Sequence, residues 1–127
     1  MFLHSAIFPI ELTNNNNGRT HHFGKSASNR RKYTKLLLQL GHRRKPFAVQ
    51  TDVVVTRILG SNQRLWDASS VLRGNWKELE DALVEAGWWW DDDVTWIRLV
   101  LGTQDPIRRH LGPAVQIDVY EVGRIVY

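Results

Sequence analysis

The chain predicts an α+β fold: a mixed or antiparallel β-sheet with two main helices packed on one face. Three observations lead there. Two segments carry apolar residues at helical spacing, and other segments alternate apolar and polar residues as half-buried strands do. The two kinds interleave as β, α, β, α, β, β, the order of a sheet whose helices share a face. The 127 residues fit one domain, 1–127, and can bury a core without staples. No internal repeat or second domain is visible.

Phe2 to Leu12 can form the first strand. TNNNN and Gly18 then read as a loop, because Asn and Gly suit turns and form poor strands. Ser26 or Ser28 can cap a helix running to about Leu40, where Tyr33, Leu36, Leu37 and Leu40 make an i, i+3, i+4, i+7 stripe. Gly41 follows as the C′ residue. Arg30, Arg31, Lys32 and Lys35 lie off that stripe, so this helix is apolar on one side and basic on the other. After the turn HRRKP, Phe47 to Leu59 reads as a long strand, with Val49, Val53 and Val55 on one side.

In the second helix Leu72, Trp76, Leu79, Leu83 and Ala86 draw one narrow stripe through Gly74. The unbroken stripe favours a start near Ser69; a shorter helix capped by Asn75, with Glu78 as capping-box partner, is the alternative. Gly87 ends it. Thr95 to Gly102 forms a strand, and GTQDPIRRHLGP a loop. Ala114 to Val122 alternates cleanly, and the last two strands can form a hairpin.

Charge is distributed unevenly along the chain. The net charge is +4, yet Arg19 to Lys45 holds nine Lys/Arg and no acid, while Ser61 onward holds seven basic and eleven acidic residues. Such a basic block is the footprint of a polyanion binder, against the plainer reading of a solvated helix face. Arg19, Lys25, Arg30, Arg31 and Lys32 are the candidate phosphate contacts. The chain has no cysteine, which excludes disulfides and thiolate metal sites and agrees with a reducing cytoplasm. No apolar run approaches the ~20 residues of a membrane span. The N-terminal MFLHSAIFPIEL reads as a strand rather than a signal peptide.

The acidic half contains GWWWDDD, Gly87 to Asp93. Adjacent aspartates repel unless water screens them or a cation joins them. Asp67 precedes the second helix and Asp91, Asp92 and Asp93 follow it, so they lie at opposite ends of an element that would span about 27 Å if ~18 residues long. They meet only if the chain folds back after Gly87. Oxygen ligands of this kind suit Mg²⁺, which binds through carboxylates and substrate phosphates and serves nucleases by activating water. No His or Cys cluster has zinc spacing; His21 and His22 are adjacent and carry no catalytic assignment. Neither a phosphate-binding Gly-rich loop nor a Ser/His/Asp pattern stands out.

The block WDASSVLRGNWKELEDALVEAGWWWDDD resembles the signature of RusA-type Holliday junction resolvases. The matching residues are Asp67, Lys77, Asp81-Ala82-Leu83, Gly87-Trp88-Trp89 and Asp91-Asp92. The NGRTHH loop upstream and AVQIDVYE downstream look like the family's loop and closing strand. The resemblance implies a homodimeric, Mg²⁺-dependent endonuclease that resolves four-way DNA junctions in recombination and repair, often encoded by prophages. It implies metal ligation by Asp67, Asp92 and Asp91, with Lys77 as the basic catalytic residue.

Ser69 and Ser70 depart from the family's Asp-Asn, and a hydroxyl brings no charge to a metal. Arg73 shares an i+4 row with Ser69, Lys77 and Asp81, so it competes with Lys77 for the basic role and joins the DNA-contact set. The plainer reading of Lys77 is an ion pair with Asp81. Trp76 is read as core, and Trp88 and Trp89 as core or dimer contacts. Two further functions stay open: a junction-binding homologue with little or no catalysis, and a non-enzymatic protein-interaction domain.

Overall fold

A computed structural model of the chain describes residues 1–14 and 23–123. Four strands and two helices follow the expected order: β1 (Phe2–Phe8), α1 (Phe23–Gln39), β2 (Thr51–Ile58), α2 (Trp76–Glu85), β3 (Ile97–Asp105) and β4 (Ala114–Glu121). A short 3₁₀ turn, Ala68–Ser70, precedes α2, and another, Arg109–Leu111, precedes β4. Among the described residues no helix is long and apolar enough to cross a membrane.

The sheet is mixed, in the order β1-β4-β2-β3. β4 runs antiparallel to both β1 and β2, while β2 and β3 are parallel. A parallel pair needs a crossover, and α2 supplies it. The expected hairpin of the last two strands does not form. β3 pairs with β2 at one edge, and β4 inserts between β2 and β1. Alternation along β4 accounts for that central place: Val115, Ile117 and Val119 are all fully buried. Burying each is worth roughly 1.5–3 kcal/mol.

One face of the sheet carries the core. Phe8 from β1, Val53 and Val55 from β2 and the three β4 residues pack against Leu37 of α1 and Leu79 and Leu83 of α2. Tyr33 and Leu36 pack at the margin, but Leu40 is exposed, so the α1 stripe is one residue shorter than its spacing predicts. Gly41 adopts φ +79°. His42 N–H donates to Leu37 O and Gly41 N–H to Leu38 O, a Schellman closure.

α2 begins at Trp76, and the long version crossing Gly74 is not formed. A β-carbon on Gly74 would lie 1.7 Å from Thr13 O, so this glycine serves a close backbone approach rather than a helical turn. Asn75 starts the helix without capping it. Its side chain instead accepts from Thr13 N–H and donates to Glu11 O and Tyr33 Oη, tying the chain after β1 to both helices. Glu78 accepts from Ser26 Oγ at 3.1 Å, and the capping box of the shorter alternative does not form, since the Asn75 side chain caps no helical N–H.

Candidate functional site

The site grows from the C-terminal end of α2. Gly87, at φ +94°, closes the helix: Trp88 N–H donates to Leu83 O and Gly87 N–H to Val84 O. The chain then turns back, and two tryptophans hold it. Trp88 Nε1 donates to His42 O, and Trp89 Nε1 to Thr51 Oγ1. Trp88 is 0% and Trp89 1% exposed, while Trp90 is 67% exposed. Two of the indoles are therefore core, and they fix the link that presents the aspartates.

Within that link the three aspartates do different work. Asp91 accepts the Asp92 N–H at 2.7 Å. Asp93 accepts the Thr95 N–H at 3.0 Å, and its carbonyl receives the Trp96 and Ile97 N–H groups, so it shapes the entry to β3. Asp92 returns along α2 to Lys77, in the first turn of the helix. The chain therefore folds back after Gly87, but the acidic link meets Lys77, Glu80 and Asp81, and the expected group of Asp67 with Asp92 is not among those formed.

Asp92 joins Glu80 and Asp81 there. One carboxylate oxygen from each lies within 4.8 Å of the others, which among the described residues is the one such group of three. Lys77 Nζ sits in contact with all of them, 3.3 Å from Glu80 Oε1, 3.2 Å from Asp81 Oδ1, and against Asp92 Oδ2. Burial works against the lysine charge, but hydrogen bonds to Asp92, Asp81 and Glu80 outweigh it and hold the ammonium above its ordinary value. Burial pushes the Glu80 carboxyl up, with Lys77 opposing. Its hydrogen bond from Lys77 holds Asp92 below the usual range. The arrangement is a carboxylate cup with a cation in it.

α1 supplies the positive rim. Arg30 Nε stands 3.4 Å from Glu85 Oε1, and Thr34 Oγ1 donates to Glu85 Oε2 at 3.0 Å. Arg30, Asp81, Val84, Glu85, Asp91 and Asp92 line a cleft of about 230 Å³. Arg31 and Lys32 are exposed on α1. Lys25 falls in the first turns of α1, but its side chain is outside the described part, and Arg19, His21 and His22 lie outside the described residues altogether.

Asp67 is placed by the segment ahead of α2. It is exposed at the start of the 3₁₀ turn, where its carbonyl accepts the Ser70 N–H at 2.9 Å. The neighbouring Trp66 is clamped to β3 through both backbone groups by Gln104, under the Arg57 guanidinium 3.5 Å from its ring. Neither Asp67 nor Asp91 belongs to the three-carboxylate group, although Asp91 lines the cleft. Ser69 is exposed, and Ser70 is buried with its hydroxyl unpartnered. Arg73 is exposed ahead of α2, so the expected i+4 row through Ser69, Arg73, Lys77 and Asp81 is broken by the short helix.

Glu80 is the residue that sequence reasoning missed. The available signal was its position three residues after Lys77, beside Asp81 at four. Its side chain is only 11% exposed. Among known proteins, no family model matches the chain and no curated protein matches it.

Proposed function

We propose that this protein is a Mg²⁺-dependent endonuclease for branched DNA, with Asp92, Asp81 and Glu80 as the metal-holding set. The observation that carries this is the meeting of three carboxylates from two chain segments around one positive charge, beside the basic helix α1. The likeness of the Asp67–Asp93 block to the RusA-type signature supports the same reading. The donor set suits a hard cation: all oxygen, clustered, and with Asp81 and Asp92 open to a cleft. Bound Mg²⁺ would activate water and neutralise charge on a phosphate.

The chain's own residues have separable tasks. Asp91 fixes the Asp92 backbone, and so the direction of its carboxylate. Arg30, at the cleft rim, and the exposed Arg31 and Lys32 draw in and align the phosphate backbone without reading sequence. Lys77, whose ammonium stands among the three carboxylates, would be the group to steady negative charge developing on a phosphate.

A four-way junction assay with and without Mg²⁺, on wild type and Asp92→Asn, tests this. Mg²⁺-dependent nicking that Asp92→Asn abolishes is expected; cleavage unaffected by Asp92→Asn overturns it. One observation favours a second reading, junction binding without cutting: Lys77 already occupies the carboxylate cup. Salt-sensitive junction binding with no nicking at any Mg²⁺ concentration selects that reading.

A further inference from the structure

The basic run of the sequence continues past α1 into the turn His42-Arg43-Arg44-Lys45, which the carboxylate site does not use. The fold sets this turn beside His4 of β1, and both histidines stand against one aromatic wall. His4 packs edge-on against Trp88 with 4.9 Å between ring centres, and His42 edge-on against Phe8 at 4.6 Å. Phe8 in turn meets Trp88 at 5.8 Å. Arg44 lays its guanidinium over Phe47, 3.6 Å from the ring centre, and Phe47 meets His4 at 6.3 Å. Three half-buried basic groups from two chain segments thus share one aromatic floor.

No acid answers them. Among the described residues, none of His4, His42, Arg43, Arg44 and Lys45 makes an ion pair. Arg44 Nε donates to Lys45 O, and its Nη nitrogens have no protein partner among the described residues. The charges acting on His4 are those of Arg44 and His42, both positive. β4 presents the apolar Val119 opposite His4, with Glu121 two residues further along the strand. Glu85, at the end of α2, is held by Arg30 and Thr34. Like charges gathered without a counter-ion attract one from solution.

We propose that His4, His42 and Arg44 form a binding site for a phosphate group. The inference does not depend on the nuclease reading. Donor number selects the ligand class. A carboxylate is satisfied by a single guanidinium fork, whereas a phosphate offers more acceptor oxygens and up to two charges. A guanidinium and two imidazole N–H groups supply that larger set. Arg43 and Lys45, one exposed on each side of Arg44, add attraction at longer range. The ring floor beneath them lowers the local dielectric and strengthens each charge-assisted bond. Proton linkage follows. Phosphate binds the imidazolium forms more tightly than the neutral ones, so its affinity rises as the pH falls through the histidine range. By the same coupling, bound phosphate raises both histidines.

Imidazole titrations followed by two-dimensional NMR test the site, in sodium phosphate and in sodium chloride of equal ionic strength. The chain has five histidines, and His4→Gln and His42→Gln assign the two signals. Inorganic phosphate at tenfold its dissociation constant should raise the His4 and His42 midpoints by about one pH unit between them. Arg44→Gln should lose most of that shift, and His42→Gln should shrink it at His4. Lys35→Gln, on the exposed side of α1, should keep it. If Arg44→Gln does not fold, His42→Gln decides alone. Duplexes ending in a hydroxyl or in a phosphate separate the sources. A shift with both supports a backbone phosphodiester, with the second alone a terminal phosphate, and with neither a free ion. No phosphate-specific shift in the wild type, or an equal one at the exposed His110, overturns the proposal. So does a shift that survives the Arg44 and His42 substitutions.

Discussion

The ammonium of Lys77, in the first turn of α2, meets the carboxylate of Asp92, 15 residues further along and beyond the end of the helix. That contact closes the fold-back and holds three carboxylates together. Replacing Lys77 with Met removes the cation and leaves Glu80, Asp81 and Asp92 repelling one another. The side chain of Lys77 is largely exposed, so solvent screening limits the loss to about 1 kcal/mol. Added Mg²⁺ or Ca²⁺ should restore it, and should raise the melting temperature of Lys77→Met more than that of wild type, where the metal must displace Nζ. Thermal melts with and without divalent cation check this. No cation-dependent shift in either protein would remove the carboxylate cup as a metal site.

What could be read in the sequence was mostly local. The end of α2 at Gly87, the closure at Gly41 and the inward face of β4 each follow from a few neighbouring residues, and each is found in place. Long-range pairings were not legible. Gly74 looked like a tolerated helix interior because nothing nearby announces that Thr13 O passes over it. Placing β4 between β1 and β2 depends on strands distant in the chain, whereas a hairpin is the nearest local option. In the site, Asp92 was legible from the acidic link. Glu80 was not, because only the fold-back brings another carboxylate to its side of the helix.

Three consecutive tryptophans offer a graded stability test. Trp88 is fully buried against Phe8, Phe47 and His4, so Trp88→Ala should cost about 3–5 kcal/mol. Trp89→Phe keeps a ring but loses the donor to Thr51 Oγ1, at about 1 kcal/mol. The exposed Trp90 should tolerate Ala within about 0.5 kcal/mol. Urea denaturation of the three variants checks the order. A Trp90→Ala loss as large as that of Trp88→Ala would contradict the packing described.

Two histidines set a pH dependence near neutrality. Burial lowers His4, helped by the nearby charges of Arg44 and His42; burial alone lowers His42. The folded state therefore binds protons less readily than the unfolded chain, where imidazole titrates near 6.5. Stability is full above that value and falls as the pH drops through it toward the folded values. Asp92 and Asp105, both held low, act in a separate window: their contribution is present above the ordinary 3.8 and is lost in stronger acid. Melting temperatures across this range should show a first decline beginning below pH 6.5. His4→Gln should flatten that decline and leave the acid limb alone. A wild-type profile level down to the carboxylate range would refute the histidine assignment.

Gly87 and Gly41 both take left-handed backbone angles, at φ +94° and +79°, but their surroundings differ. A β-carbon on Gly41 would meet nothing within 4 Å, whereas one on Gly87 would lie 2.2 Å from Arg44 O. Gly41→Ala should therefore cost only the backbone penalty, about 1–2 kcal/mol. Gly87→Ala adds a clash with main chain that cannot rotate away, and should cost roughly 3 kcal/mol or more. The segment it displaces is the one joined to the helix end by Arg44 N–H to Ala86 O and Phe47 N–H to Trp88 O. Loosening that seam frees the link carrying Asp92, so Gly87→Ala should also weaken divalent-cation binding, and Gly41→Ala should not. Chemical denaturation and cation titration of the two variants separate these effects. Equal losses of stability would mean that the close approach at Arg44 is not what requires glycine.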